Sequence, residues 1–569
     1  MIRSRAAAAA VCIVVSMVLP LAPAARAWSP PSVAAVVPSG ASKYKAVDPV
    51  RLADTRPTAP GYGGFTMVSG NTMRVSIIGR PGVPAGATAA VLNVAMIEPA
   101  SAGYATVYPG GQGIPATSSL NADQPGRVIA NMVHVKIGAN GAADIFMSAS
   151  MKMVVDLVGV YTPVDSAAKD GRLVTLAGGA VRVLDTRNQG YPVGPGLTTS
   201  VDLAPAGIPG NASAAVVTVT AVTANKGFWS AFPSNQGFSG TSTLNLDQGG
   251  QTRAAQAIVK LAGSPQINVY TEAGGHLLVD VVGYFTGTDA AASTDGLFVP
   301  SSSPLRMLDT RPLRTLPPWS GSTYEFPLGN SGSLTIAAVA MNITATSPWD
   351  KGYVTAYPAG VSRPNSSNLN ISAVPQTIAN HAIVRVSTRG AALFTQGGSH
   401  LIADVAGWYL GIPSSATQAA PQNPNFTPNS AVAVHVGKIG VFVGIKAGGG
   451  NLNAIADAGY AATWSDINTV AAPGNLMLFG HRTEGSAPFR YLNLLKLGDT
   501  FSIVGSDGHW YNYEVMDIGV STPSYSQIQS YANPFGLVTA QLVACSRIDG
   551  SATSLSYRIA VTGRLVSVD

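Results

Sequence analysis

Three times, the first three-quarters of the chain returns to the same short phrases, and this repetition limits the fold more than any other feature. Arg51-Leu-Ala-Asp-Thr-Arg56 comes back as Arg182-Val-Leu-Asp-Thr-Arg187 and Arg306-Met-Leu-Asp-Thr-Arg311. Tyr104-Ala-Thr-Val-Tyr-Pro109 comes back as Phe228-Trp-Ser-Ala-Phe-Pro233 and Tyr353-Val-Thr-Ala-Tyr-Pro358. Each unit closes on Asp156-Leu-Val-Gly-Val-Tyr161, Asp280-Val-Val-Gly-Tyr-Phe285 or Asp404-Val-Ala-Gly-Trp-Tyr409, with 124 residues between successive closing aspartates. A fold that recurs at this interval is a module of ordinary domain size, roughly 150 residues or less.

Within a unit, short apolar or alternating runs are separated by Gly, Pro, Asn and Ser clusters. Ala89-Ala-Val-Leu-Asn-Val-Ala95, Tyr104 to Tyr108 and Met153-Val-Val-Asp-Leu-Val158 read as strands. No stretch sustains a helical period. The expected class is all-β: three tandem β-sandwich or jelly-roll-like modules, at residues 45–163, 172–287 and 297–411. The spacing fits either a linear stack or a pseudo-threefold cluster. The Asp and Arg of the repeated Asp-Thr-Arg could form a carbohydrate or ion site. Beside apolar strand residues they are read instead as satisfying each other and nearby backbone. The units resemble β-rich modules found in tandem in secreted actinobacterial cell-surface proteins, which implies a surface role and no specific chemistry.

The chain opens with Arg3 and Arg5, an apolar run from Ala6 to about Leu21, and Ala25-Arg26-Ala27. That order reads as a signal peptide over residues 1–27, followed by a short linker over 28–44. The expectation is export to the cell envelope, with cleavage favoured over an uncleaved anchor because Pro20 interrupts a short run. Only 11% of residues are charged, and the net +6 falls to +3 once Arg3, Arg5 and Arg26 leave. No basic run accompanies it, so no nucleic-acid partner is expected.

Removal of the leader takes Cys12 and leaves Cys545 as the one cysteine. An unpaired thiol in an exported chain either pairs between chains or does chemistry. Residues 412–430 are Pro-, Ser-, Ala- and Asn-rich and read as a tether. Residues 431–569 contain no copy of the repeat and read as one mostly-strand domain. Leu537 to Ala544 forms a strand that ends at Cys545. Leu555 to Thr562 forms the next strand and carries Arg558. Asn475 to Phe479 runs into Gly480-His481. One short helix is expected over Pro488 to Leu495, with Phe489, Leu492 and Leu495 on one side. An antiparallel pairing of the last two strands brings Arg558 beside Cys545, and His481 can face the same rim. A thiolate is a nucleophile, an imidazole returns a proton to a leaving amine, and a guanidinium holds an oxyanion.

Four segments of this domain resemble those of the sortases, cysteine transpeptidases of the Gram-positive envelope. They are Pro473-Gly-Asn-Leu-Met-Leu-Phe-Gly-His481, Phe489-x-x-Leu-x-x-Leu-x-x-Gly-Asp499, Leu542-Val-Ala-Cys545 and Tyr557-Arg-Ile-Ala-Val561. Ala544 stands where the family usually has Thr, and Ser546-Arg547 follow in place of a Pro-bearing loop. The resemblance, closest to the actinobacterial class E/F type, implies an eight-stranded β-barrel. It assigns Cys545 as nucleophile, His481 as general acid/base and Arg558 as transition-state stabiliser. It also implies a sorting-signal peptide as substrate and a cell-wall amine as acceptor, with no cofactor. Arg482, Glu484, Ala544 and Ser546 are candidate substrate contacts. His435 and His509 are read as ordinary strand and turn residues, and the histidines have no metal-ligand spacing. The repeats would attach the enzyme at the envelope, with cell-wall glycan as a candidate ligand. A hydrolytic peptidase, and a scaffold protein with a decayed catalytic domain, are the competing readings.

Overall fold

The computed structural model describes residues 37–59, 61–311, 321–328, 334–417, 429–448, 451–463, 469–470, 474–483, 486–523, 538–547, 550–551 and 556–569. The signal peptide expected over 1–27, most of the tether and Glu484 lie outside the described residues. Strands dominate what is described, so the all-β expectation holds.

Each repeat packs two sheets face to face. In the first, one sheet joins Ser42–Asp54, Lys152–Pro163, Ala89–Ile97 and Val128–Lys136, and the other runs Phe65–Ser69, Thr72–Ser76, Ala142–Met147, Gly103–Pro109, Leu120–Ala122. Side chains of both sheets meet in one core, which includes Leu92, Val94, Met96, Val107 and Ile145. The second and third repeats build the same sandwich around their own cores.

The choice left open by the repeat spacing is decided by a fourth core. Alternate residues of a strand face opposite sides of its sheet. In Ala89–Ile97, residues Ala90, Leu92 and Val94 enter the module's own core, while Ala89 and Val91 enter a second cluster. Ala214 and Val216 of the second repeat and Ala338 and Ala340 of the third enter that same cluster. So do Tyr161, Phe285 and Tyr409, which end the three closing phrases. The modules therefore gather about a shared pseudo-threefold core instead of stacking in a line. Both faces of the inner sheets are buried, which explains why their strands read as nearly continuous apolar runs.

The repeated phrases have structural work to do. Arg182 lies opposite Asp280 in the antiparallel register and donates to it at 2.8 Å, and Arg306 does the same to Asp404 at 2.9 Å. Arg51 pairs with Asp156 in the equivalent way. The threonine between Asp and Arg accepts a backbone N–H from the closing strand, from Met153, Leu277 and Leu401 in turn. The closing glycine is required by close approach. A Cβ on Gly159 would sit 2.1 Å from the Tyr44 hydroxyl, and one on Gly407 would sit 2.3 Å from the Phe298 ring.

Polar groups occupy the centre of the shared core. His134 and His381, both buried, stack with ring centroids 4.6 Å apart. The Tyr161 and Tyr409 hydroxyls lie 2.6 Å apart and both reach His134 Nε2, while Gln256 Oε1 accepts the Ile383 N–H at 2.6 Å.

In the C-terminal domain, β1 (Asn429–Val436) turns through Gly440, at φ +67°, into β2 (Val441–Lys446). A helix, α1 (Leu452–Asp457), follows, then β3 (Ala461–Thr463), β4 (Thr469–Val470), β5 (Gly474–Phe479), β6 (Thr500–Gly505), β7 (Trp510–Ser521), β8 (Val538–Ser546) and β9 (Tyr557–Val568). Neighbours run β2-β3-β5-β8-β9-β7-β6-β1, and the β1–β2 pairing closes this into an eight-stranded barrel, with β4 attached to β1. Its interior is filled by side chains such as Val434, Leu478, Phe501, Tyr513, Leu542 and Val561.

The helix expected over Pro488 to Leu495 is corrected to turns and a single 3-10 turn, Leu492–Leu494. Phe489, Leu492 and Leu495 are buried as expected. Their uniform spacing of three suits three residues per turn, where an α-helix would alternate three and four.

Neither central histidine can gain a proton without placing a charge in an apolar core. Burial, and secondly the neighbouring His381, hold His134 well below the usual imidazole range, and burial takes His381 down to about 3. The unfolded chain binds these protons below about pH 6.5. Their contribution is therefore constant above that pH and lost as pH falls towards the folded values. Urea unfolding at pH 7.5 and pH 5 is expected to show a loss of about 2 kcal/mol per histidine. His381→Leu should remove one histidine's share of that loss.

Candidate active site

The barrel brings three distant residues to one rim by register alone. Strands β5 and β8 run parallel, with Phe479 opposite Val543. Gly480 N–H extends the ladder to Val543 O at 3.1 Å. Two residues past the paired Phe479 and Val543 stand His481 and Cys545. Strands β8 and β9 run antiparallel with Cys545 directly opposite Arg558. Directly opposed residues of an antiparallel pair put their side chains on the same face. His481, Cys545 and Arg558 accordingly line one cleft of about 350 Å³.

Gly480 has no freedom to be anything larger, since a Cβ there would lie 2.7 Å from the Phe489 ring. Phe489 is fully buried, and its N–H donates to His481 O at 3.0 Å, which fixes the backbone that carries the imidazole. Pro523 and Thr483 contribute to the walls. Ala544, a candidate substrate contact, also lines the cleft.

Two candidate contacts are corrected. Arg482 is 1% exposed and turns inward. Its guanidinium donates to Cys545 O at 3.1 Å, Gly550 O at 2.9 Å and Asn493 Oδ1 at 2.7 Å, tying the end of β8 to the segments around Gly550 and Asn493. Ser546 is likewise buried, with its hydroxyl donating to Arg547 O at 2.7 Å. Along β8 successive side chains alternate between faces, so Ser546 turns inward next to Cys545, and Arg482 turns inward in the bend that follows β5.

One side chain escaped sequence reasoning. Asp457, at the end of α1, accepts a hydrogen bond from His481 Nε2 at 2.8 Å. The helix forms one wall of the cleft through Leu452, Asn453 and Ala456. At six residues it is too short to show a period. Its signal was Asn451, whose side chain caps the Ala454 N–H, with Leu452, Ile455 and Ala456 following at helical spacing. His435 and His509 are elsewhere: His435 packs edge-on against Phe442 and Trp510, and His509 Nδ1 lies 3.3 Å from Asp569 O.

The arrangement is a half-buried thiol with a cation and an imidazole beside it, inside a walled cleft. Those are the parts of acyl transfer through a thioester. Residues 434–566 match the Sortase domain family. No curated protein matches the chain. Solved structures similar to the chain include sortase E1 from Streptomyces coelicolor with a tripeptide in its active site, at 24% identity over 25% of this chain and 90% of that one, with a TM-score of 0.21. A Clostridium perfringens sortase D5 transpeptidase is 22% identical over 24% of this chain and 79% of its own, with a TM-score of 0.20. The SrtA sortase from Actinomyces oris is 18% identical over 27% and 89%, with a TM-score of 0.22.

Removing Arg482 would strand several buried acceptors, so Arg482→Ala is expected to lower unfolding stability by about 3 kcal/mol. Asp457 is largely exposed, and Asp457→Ala should leave the melting temperature unchanged. It should slow thioester formation roughly tenfold, the equivalent of one charge-assisted hydrogen bond. Thermal melts and single-turnover acylation separate the two.

Proposed function

We propose that this sortase domain is an exported cysteine transpeptidase that cuts a sorting signal and passes the acyl group to a cell-wall amine. The observation that carries this reading is the register of β8 on β9, which sets Cys545 opposite Arg558, with His481 on the same cleft.

The Cys545 thiolate attacks the carbonyl carbon of the scissile peptide bond, and the oxygen takes up the negative charge. Arg558 is always charged and offers several donors, so it steadies that oxyanion. The intermediate collapses with breakage of the C–N bond, and protonated His481 gives its proton to the departing amine. A thioester to Cys545 remains. An incoming amine then attacks the thioester carbonyl and loses a proton to His481, and the Cys545 thiolate departs. Water in place of the amine would give hydrolysis by the same steps. Asp457 accepts from His481 Nε2 and so orients the imidazole. In this reading the three repeats hold the enzyme at the envelope, and the leader takes it there.

The chain beginning after Ala27, incubated with peptides of the Leu-Pro/Ala-x-Thr-Gly type, is expected to gain the mass of an acyl fragment on Cys545. Cys545→Ala should abolish the adduct, and His481→Ala and Arg558→Ala should slow its formation by roughly a hundredfold or more. Failure of every peptide to acylate a folded protein with a titratable thiol would favour a scaffold with an inactive domain.

A further inference from the structure

The three module interfaces are made from equivalent positions, so each serves as a control for the others. Between the first and second modules, Asp48 pairs with Lys260 at 3.0 Å and accepts from Gln236 Nε2 at 2.7 Å. Asn93 Nδ2 donates across the same interface to Ser242 O. The space left there is about 40 Å³. Between the third and first, Asn342, at the position of Asn93, donates to Ser118 O at 2.6 Å and accepts from Asn131 at 2.9 Å.

Between the second and third modules both devices are gone. Thr218 occupies the Asn93 position, and among the described residues no hydrogen bond joins it to Ser367, the counterpart of Ser242. Residues 176–180 replace 47–49 and bring Gly178 and Gly179 where the first module has Asp48. Arg385, the counterpart of Lys260, is half-buried and has no ion-pair partner among the described residues. A cavity of about 390 Å³ has opened around these substitutions, within the usual range of roughly 300–1,000 Å³ for ligand pockets.

The lining of this cavity narrows what it can take. Among the described residues, Arg385 is its one charged group and no carboxylate lines it. The nearby Glu325 is engaged by Arg389 and the Gly360 N–H. Thr175, Thr218, Ser362, Ser367 and Ser415 line it together with apolar residues such as Val282 and Ile383, and the Ser367 hydroxyl also donates to Asn370 Oδ1 at 3.4 Å. The third–first interface also has a cavity, of about 330 Å³, but its two arginines, Arg306 and Arg311, are already held by Asp404 and Asp309. A guanidinium without an ion-pair partner among the described residues, beside Ser and Thr side chains and apolar walls, suits a ligand with one acid group, hydroxyls of its own and apolar ring faces.

We propose that the cavity between the second and third modules binds a carboxylate-bearing saccharide, whose acid group takes the place at Arg385 that Asp48 takes at Lys260. The site lies at the root of the tether. Ser414 N–H donates to Val386 O at 3.0 Å and Thr388 N–H to Ser414 O at 2.9 Å, and Ser414 and Ser415 line the cavity. A bound sugar would touch the segment that leads to the catalytic domain.

Calorimetric titration of the leaderless chain with D-glucuronate, D-glucose, acetate and the peptide Ala-Glu-Ala tests this. Saturable binding of glucuronate at one site is expected, at least tenfold tighter than the other three. Arg385→Gln should weaken it by tenfold or more. Gly178→Asp should do the same by adding a carboxylate to the cavity that Arg385 lines. A Cβ on Gly178 meets nothing within 4 Å, and the residue is outside the left-handed region, so this variant fits the fold. Absence of saturable glucuronate binding, or binding unaltered in both variants, would overturn the site. Acetate or the peptide binding as tightly as glucuronate would overturn the saccharide.

Discussion

A parallel pairing of two strands, β5 on β8, is the constraint on which the catalytic end of the molecule depends. Parallel neighbours advance in step, so the chain can leave both strands at the same height. Here it leaves with an imidazole from one and a thiol from the other. The antiparallel return through β9 adds the guanidinium opposite the thiol. Hydrogen-bonded sheet fixes the backbones of Cys545 and Arg558, and His481, two residues beyond β5, is held by the Gly480 N–H on Val543 O and the Phe489 N–H on its own carbonyl. Rigid elements hold reacting groups more accurately than loops do. Arg482 strengthens the arrangement from behind, since its guanidinium joins the carbonyl of Cys545 to those of Arg490 and Gly550.

The amino-terminal body rests on a different economy of side chains. Each inner strand serves two cores, with large residues such as Leu92 and Met341 facing its own sandwich and small ones such as Ala89, Ala214 and Ala338 facing the centre. Small residues let three sheets approach closely, and the tyrosines and phenylalanines of the closing phrases fill what remains. The polar centre would be costly if unpaired. Hydrogen bonds between Tyr161, Tyr409 and His134, and from Ile383 to Gln256, offset part of that cost, while His134 Nδ1, His381 Nε2 and Gln256 Nε2 are buried without a hydrogen-bond partner among the described residues.

Much of this was legible in the chain, for identifiable reasons. Strand ends are marked by apolar runs that stop, so the places of Cys545 and His481 followed from Leu537 to Ala544 and Asn475 to Phe479. The eight-stranded barrel followed from the resemblance. What stayed hidden depended on orientation or on distance. Arg482 and Ser546 were adjacent to His481 and Cys545, and nothing in their identity revealed that they point inward. Asp457 is 24 residues before His481 and sits on a helix too short to have a period. The shared core was visible only as doubly apolar strands, a pattern that either arrangement of modules would produce.

The inner sheets of the first and third modules join edge to edge where Ser42 pairs with Phe298, forming one eight-stranded sheet. The repeats thus close on themselves, and the last copy meets the first. In an open solenoid, gene duplication can add a unit at either end because each unit contacts only its neighbours. A closed trio has no free end to extend. A fourth copy would have to break the contact between Ser42 and Phe298 and find room in a centre already filled by Tyr161, Phe298 and Tyr409. Copy number in such a protein is set by closure, and the sequence that follows the third unit must begin something else.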